Sequence, residues 1–159
     1  MNDGIGQLVA AAERDGAVPL PALSQAELCV LGAAGSSLVC ARTWAWWTGL
    51  AERKQADLAL RSLELLAVRG LIVPEGGRDG GTAADPALSI VLAARARPEP
   101  AVACQVPGQE ASFQPRLFGL SQPGRGLRVL VRETLTGHPA GPDGRAEFGT
   151  ACRYALLTP

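Results

Sequence analysis

The sequence predicts an α+β fold, with N-terminal helices packed on a C-terminal four-stranded antiparallel meander. Three observations carry that expectation. Apolar residues recur at helical spacing up to residue 98, and from residue 101 the period shortens to 2. The links between the later apolar runs are short and contain Gly or Pro, as connections within a meander do. The helical segments come first and the strands after, rather than alternating as βαβ units would. The reading is a single domain over 24–159, with a helical half at 24–98 and a strand half at 101–157. Residues 1–23 are expected to be an N-terminal segment, a small helix around Leu8–Ala12 or a mobile tail, because Pro19 and Pro21 interrupt it.

The helical half opens at Ser24. Ser24 and Glu27 have the spacing of a capping box, in which each side chain satisfies a backbone amide of the other residue. Leu28 and Leu31 form the inner stripe of this helix, and Gly35 is expected to end it. Residues 38–51 hold all three tryptophans, Trp44, Trp46 and Trp47. Trp44 and Trp47 share a helical face and Trp46 points elsewhere, so the cluster reads as core filling with one indole partly outside, or as a partner-binding patch. The stretch 56–73 is the strongest single signal. Leu60, Leu63 and Ala67 fall on one stripe with Leu66 beside it, which predicts that this stripe docks and that Arg61, Glu64 and Arg69 stay wet. Gly70 stands where a left-handed helix stop belongs, and Leu71-Ile72-Val73 follows as a short β run. Residues 76–84 read as a flexible loop without the G-K-[ST] ending of a phosphate loop. Asp85-Pro86 restarts a helix as N-cap and first-turn proline, Leu88, Val91 and Leu92 face inward, and Pro98 stops it.

Four strands are expected at 101–106, 113–120, 126–135 and 146–157. Pro115 cannot donate to a ladder, so the second strand is expected at an edge or with a bulge. In the third, Val129 and Val131 share a face with Leu127 and Leu135, while Arg128, Leu130, Arg132 and Thr134 take the other. Glu133 is a carboxylate in phase with the apolar face, which predicts either a pair with an arginine on a neighbouring strand or a point where that face has become solvent-exposed. The last strand places Phe148, Cys152, Tyr154 and Leu156 together.

Composition narrows function. With 47% apolar but only 4% aromatic residues, the core must be built from Leu, Val and Ala. Fifteen basic against fifteen acidic residues give zero net charge, which argues against a generic nucleic-acid binder. Cys29, Cys40, Cys104 and Cys152 contain no C-x-x-C pair and the single histidine, His138, has no cysteine nearby, so no metal site is expected and the thiols read as reduced. His138 lies in a turn-rich loop with no recognisable orienting partner. No catalytic residue, cofactor site or metal site is assigned, and the chain reads as non-enzymatic. Asp3 and the absence of a basic leader, with no apolar run near the ~20 residues of a membrane span, predict a cytoplasmic protein without a membrane partner.

Two resemblances bear on function. The segment 60–72, LRSLELLAVRGLI, resembles the recognition helix and wing entry of winged-helix regulators, which would make 24–34 the first helix and 76–81 the wing tip. The order of L-S-Q-A-E-L-C-V-L at 23–31, A-V-R-G-L-I at 67–72, D-P-A-L at 85–88 and A-R-P-E at 96–99, then strands, resembles the type VII (ESX) secretion-associated EspG family. That resemblance implies a noncatalytic cytosolic chaperone-like protein that binds protein partners, this chain corresponding to one of the two similar halves of family members. It also implies a two-fold homodimer that rebuilds the larger architecture. Trp44, Trp46, Trp47, Val129 and Arg132 are the candidate partner-binding residues, on the tryptophan cluster and on the strand 126–135.

Overall fold

The computed structural model describes residues 3–32, 39, 41–74, 82–96, 101–103, 116–121, 128–136 and 151–157. Its elements run α1 (Asp3–Asp15), β1 (Ala17–Ser24), α2 (Gln25–Leu31), α3 (Ala41–Thr48), α4 (Glu52–Val68), β2 (Ile72–Pro74), β3 (Thr82–Ala84), α5 (Pro86–Ala96), β4 (Ala101–Ala103), β5 (Arg116–Ser121), β6 (Arg128–Thr136) and β7 (Ala151–Leu157). The class is α+β, as the sequence predicts, and β4, β5, β6 and β7 form the expected antiparallel meander.

The sheet has a fifth member that the sequence did not announce. β1 pairs antiparallel with β7, giving the order β1-β7-β6-β5-β4. Residues 3–24 are thus a helix, one of the two expected readings of this segment, followed by a strand that joins the sheet and so belongs with the domain set at 24–159. Pro19 and Pro21 are compatible with this because β1 lies at an edge, where missing N–H groups interrupt no ladder on the outer side. The register shifts between Leu20 and Leu23, and this irregularity lets both leucines face the core although they are three residues apart.

β5 is interior, paired with β4 and β6, which excludes the edge alternative and leaves the bulge alternative untouched. Its ladder begins at Arg116, one residue beyond the proline, and Pro115 itself lies outside the described residues. β6 is interior as well, which removes it as an edge open to a second chain. The segment 82–84, expected as loop, pairs with β2 in a separate two-stranded ribbon.

The strand faces follow the sequence pattern. Val129, Val131 and Glu133 on β6 and Cys152, Tyr154 and Leu156 on β7 are buried, while Arg132 and Arg153 are exposed. α1 and α5 pack on β1 and on each other, and α5 also contacts β5. Gly4 is required there: a Cβ would come within 2.6 Å of the Pro86 ring. On α5, Leu88, Val91 and Ala94 are fully buried, and Asp85 Oδ1 accepts from the Ala87 amide at 2.8 Å.

α2 carries the capping box in full. The Ser24 amide donates to Glu27 Oε2 at 2.7 Å and the Glu27 amide to Ser24 Oγ at 3.2 Å. The helix ends at Gly32, before the expected Gly35, which lies outside the described residues. α2 packs against α3 and α4, and Leu28 and Cys29 enter the core. α4 closes at Gly70, whose φ is +67°. The Leu71 amide donates to the Leu66 carbonyl and the Gly70 amide to the Ala67 carbonyl, both at 2.9 Å, which is the Schellman pattern.

Candidate functional site

α4 is turned differently from the sequence expectation. Leu66 is fully buried and Ser62 nearly so, with Gln55 and Ala59 half-buried on the same side. Leu60 is 61% exposed and Leu63 41%, and Ala56 and Ala67 are exposed beside them. The helix therefore carries two apolar stripes, 55-59-62-66 and 56-60-63-67, offset by one residue or about 100°. The inner one meets α2, and the predicted docking stripe is the one facing solvent.

Arg69, at the end of α4, accompanies this rotation. Its guanidinium donates from Nη2 to Glu27 Oε1 at 2.8 Å and from Nη1 to the Ala22 carbonyl at 2.9 Å. Ala22 lies within the register shift of β1, where its carbonyl is outside the regular ladder. Glu27, only 4% exposed, thus serves both the α2 cap and the end of α4. Arg69 remains exposed, as the sequence predicts, and at the same time ties the end of α4 to α2 and β1.

The exposed surface of α4 includes the apolar stripe 56-60-63-67, and Leu65 and Val68 are exposed on other sides of the helix near its end. Val73 on β2, past the Gly70 turn, is 49% exposed. Flanking the stripe are Arg53, Asp57, Arg61 and Glu64, all exposed, two basic and two acidic. Among the described residues α4 packs chiefly on α2 and β2, leaving this face open. A helix surface of this kind offers little to phosphate or base edges, which call for donors, and much to an apolar protein surface.

The five candidate residues read from the sequence do not form one surface. Trp47 is buried in the core, and Trp44 and Trp46 are half-buried against it. Trp46 and Trp47 are a tilted pair with ring centroids 6.1 Å apart. Val129 is 5% exposed and belongs to the core under the helices, so it is not available to a partner. Arg132 is exposed on the opposite face of the same strand.

A second cluster lies inside the fold. Arg95 on α5 forms an ion pair with Glu133 on β6 and donates to Tyr154 Oη on β7 at 3.1 Å. Arg116, the cross-strand neighbour of Glu133, places Nη1 3.7 Å from the other carboxylate oxygen, as expected for an arginine on an adjacent strand. The sequence reading missed Arg95, yet a signal was present. Leu88, Val91 and Arg95 follow i, i+3, i+7, so the guanidinium lies on the inner stripe, as Glu133 lies on the inner face of its strand.

Burial raises the Tyr154 hydroxyl, and Cys152 and Glu133 beside it act in the same direction. Burial, with Glu133 next, pushes the Cys152 thiol up to about 11. Burial disfavours the Arg95 charge, but Tyr154 and Glu133 more than offset it and its pKa is raised. Every buried side-chain N and O among the described residues has a hydrogen-bond partner. The geometry is that of an internal clamp holding α5 to two strands.

Cys29 and Cys152 are buried thiols, Cys29 Sγ donating to the Thr43 carbonyl at 4.0 Å, while Cys40, Cys104 and His138 lie outside the described residues. Among the described residues no group of His, Cys, Asp and Glu is arranged to hold a metal, and no helix is long and apolar enough to cross a membrane. No protein-family model, curated protein or solved structure matches the chain.

Proposed function

We propose that this chain is a noncatalytic, chaperone- or adaptor-like protein-binding protein, acting in the cytoplasm and resembling one half of an EspG-type secretion-associated chaperone. The observation that carries the reading is the exposed apolar face of α4, with Leu60 and Leu63 open to solvent. Exposed leucines in an unbroken helical stripe are costly in water, and contact with another protein removes that cost. The motif order along 23–99 supports the family resemblance, and a two-fold homodimer belongs to the same proposal.

The alternative is a winged-helix DNA-binding regulator. It is favoured by the order α2-α3-α4-β2-β3, three helices and then a two-stranded ribbon, which that resemblance requires. It is disfavoured by the apolar α4 face and by Asp57 and Glu64 upon it. Capture from extract of the native cell, with unmutated chain and with Leu60→Glu/Leu63→Glu compared, separates the two. Protein partners lost in the variant are the expected outcome. A gel shift showing nanomolar, sequence-selective DNA binding overturns the reading in favour of the regulator.

A further inference from the structure

From the solvent stripe of α4 we infer that its occupant is a second copy of this chain, docked α4 against α4, antiparallel, about a two-fold axis passing between Arg61 and Ser62. The inference rests on reading that face as a protein-contact surface and names the partner.

A two-fold contact demands a surface that is complementary to itself. The stripe Ala56, Leu60, Leu63, Ala67 has spacings of four, three and four residues, and it reads Ala-Leu-Leu-Ala from either end. Laid antiparallel with the axis at its centre, Leu60 meets Leu63 of the second copy and Ala56 meets Ala67. Each of the four layers is then filled, with the large side chains at the middle and the small ones at the ends. Spacings that alternate three and four are those of an antiparallel helix pair crossing at about 20°.

The charges tolerate that register without selecting it. Glu64 of the other copy stands two residues, about 3 Å along the axis, from the levels of both Arg61 and Asp57. The two-fold therefore generates two attractive Arg61–Glu64 juxtapositions and two repulsive Asp57–Glu64 ones. Arg53 precedes Asp57 by one turn on its own helix, which leaves the edge neutral. With zero net charge on the whole chain, two copies meet without long-range repulsion. A single helix pair is at the small end of specific interfaces, so a micromolar dissociation constant is expected.

Sedimentation of the full chain from about 5 to 200 μM, a range chosen to span such a small interface, is expected to reach about twice the 16.4 kDa chain mass. Leu60→Glu/Leu63→Glu is expected to remain monomeric with an unchanged circular dichroism spectrum, since both side chains already face solvent. Register is tested by oxidising a mixture of Ala56→Cys and Ala67→Cys chains beside unmutated protein. The mixture is expected to yield a disulfide-linked dimer absent from either variant alone, because like positions stand about 16 Å apart, beyond the ~7 Å reach of a disulfide. A monomer across the whole range, a dimer indifferent to Leu60→Glu/Leu63→Glu, or cross-linking by Ala56→Cys alone each overturns the inference. If the chain is monomeric and the double variant still loses capture of other proteins, this inference falls and the protein-binding reading stands.

Discussion

Replacing Arg95 by methionine tests the internal clamp most directly. The substitution keeps the bulk of the side chain and removes its charge. Glu133, at 3% exposure, then retains only Arg116, whose Nη1 is 3.7 Å away and whose own side chain is 40% exposed. Removing one member of a buried pair typically costs about 3–5 kcal/mol, since the charge left behind is neither hydrated nor compensated. Residual help from Arg116 and the loss of a donor to Tyr154 act in opposite senses, so a value near 3 kcal/mol is expected for Arg95→Met. For a chain of this length that corresponds to a midpoint lowered by roughly 6–12 °C. Arg95→Met/Glu133→Leu removes the stranded charge as well and is expected within about 1 kcal/mol of the unmutated protein. Urea titrations followed by tryptophan fluorescence and circular dichroism give the cycle. A loss below about 1 kcal/mol for Arg95→Met, or a double variant as unstable as the sum of the singles, would refute the clamp.

Four further outcomes are expected. Leu66→Ala should cost about 2–5 kcal/mol in the same titration, and Leu60→Ala less than about 0.5 at monomeric concentrations, because one faces the core and the other water; equal losses would contradict the rotation of α4. Gly70→Ala should cost about 1–2 kcal/mol, since a φ of +67° is strained for a residue with a Cβ, and a neutral effect would mean that the helix ends otherwise. With the Cys152 pKa near 11, its native thiolate fraction at pH 8 is about 0.1%, so thiol reagents should be slow to reach it. Between about pH 8.5, the unfolded thiol value, and about 11 the folded chain keeps a proton that the unfolded chain releases, so stability should fall as pH rises through that window. Tyr154, also raised, extends the fall to higher pH. Cys152→Ala should flatten the decline relative to the unmutated chain, and an unmutated profile already flat would contradict the burial of the thiol.

Local chemistry was legible in the sequence wherever one segment contains the whole interaction. Ser24 with Glu27, the Gly70 stop and the Asp85-Pro86 start all involve neighbours within a few residues, and all three form as expected. The inward face of β6 was equally plain, because period 2 leaves only two choices and Val129 with Val131 makes one. α4 allowed no such decision. Stripes offset by one residue both satisfy helical spacing, and Ser62 made the inner one look wetter than it is. The rotation seen goes with packing on α2 and with Arg69 reaching Glu27 and Ala22, contacts 42 and 47 residues away. β1 escaped detection for a similar reason: two prolines speak against a strand locally, and its partner lies at the far end of the sequence. The candidate site inherited both gaps. Its apolar stripe was visible, but which side of the helix faced outward was not, and Val129 was assigned to a surface from which the sheet excludes it.

The pairing of β1 with β7 also bears on how the chain reaches its native state. Ala17 is in register with Leu157, so this ladder closes a loop of nearly the entire described length. Contacts so distant form late, because their closure entropy must be met before the ladder returns any stabilisation. A chain emerging from the ribosome therefore carries β1 without its partner strand until β7 appears, although α2 to α4 can already assemble. Over that interval the two prolines of β1 take on a protective value: they deny stray strands part of the backbone donors that an unpaired segment would otherwise offer.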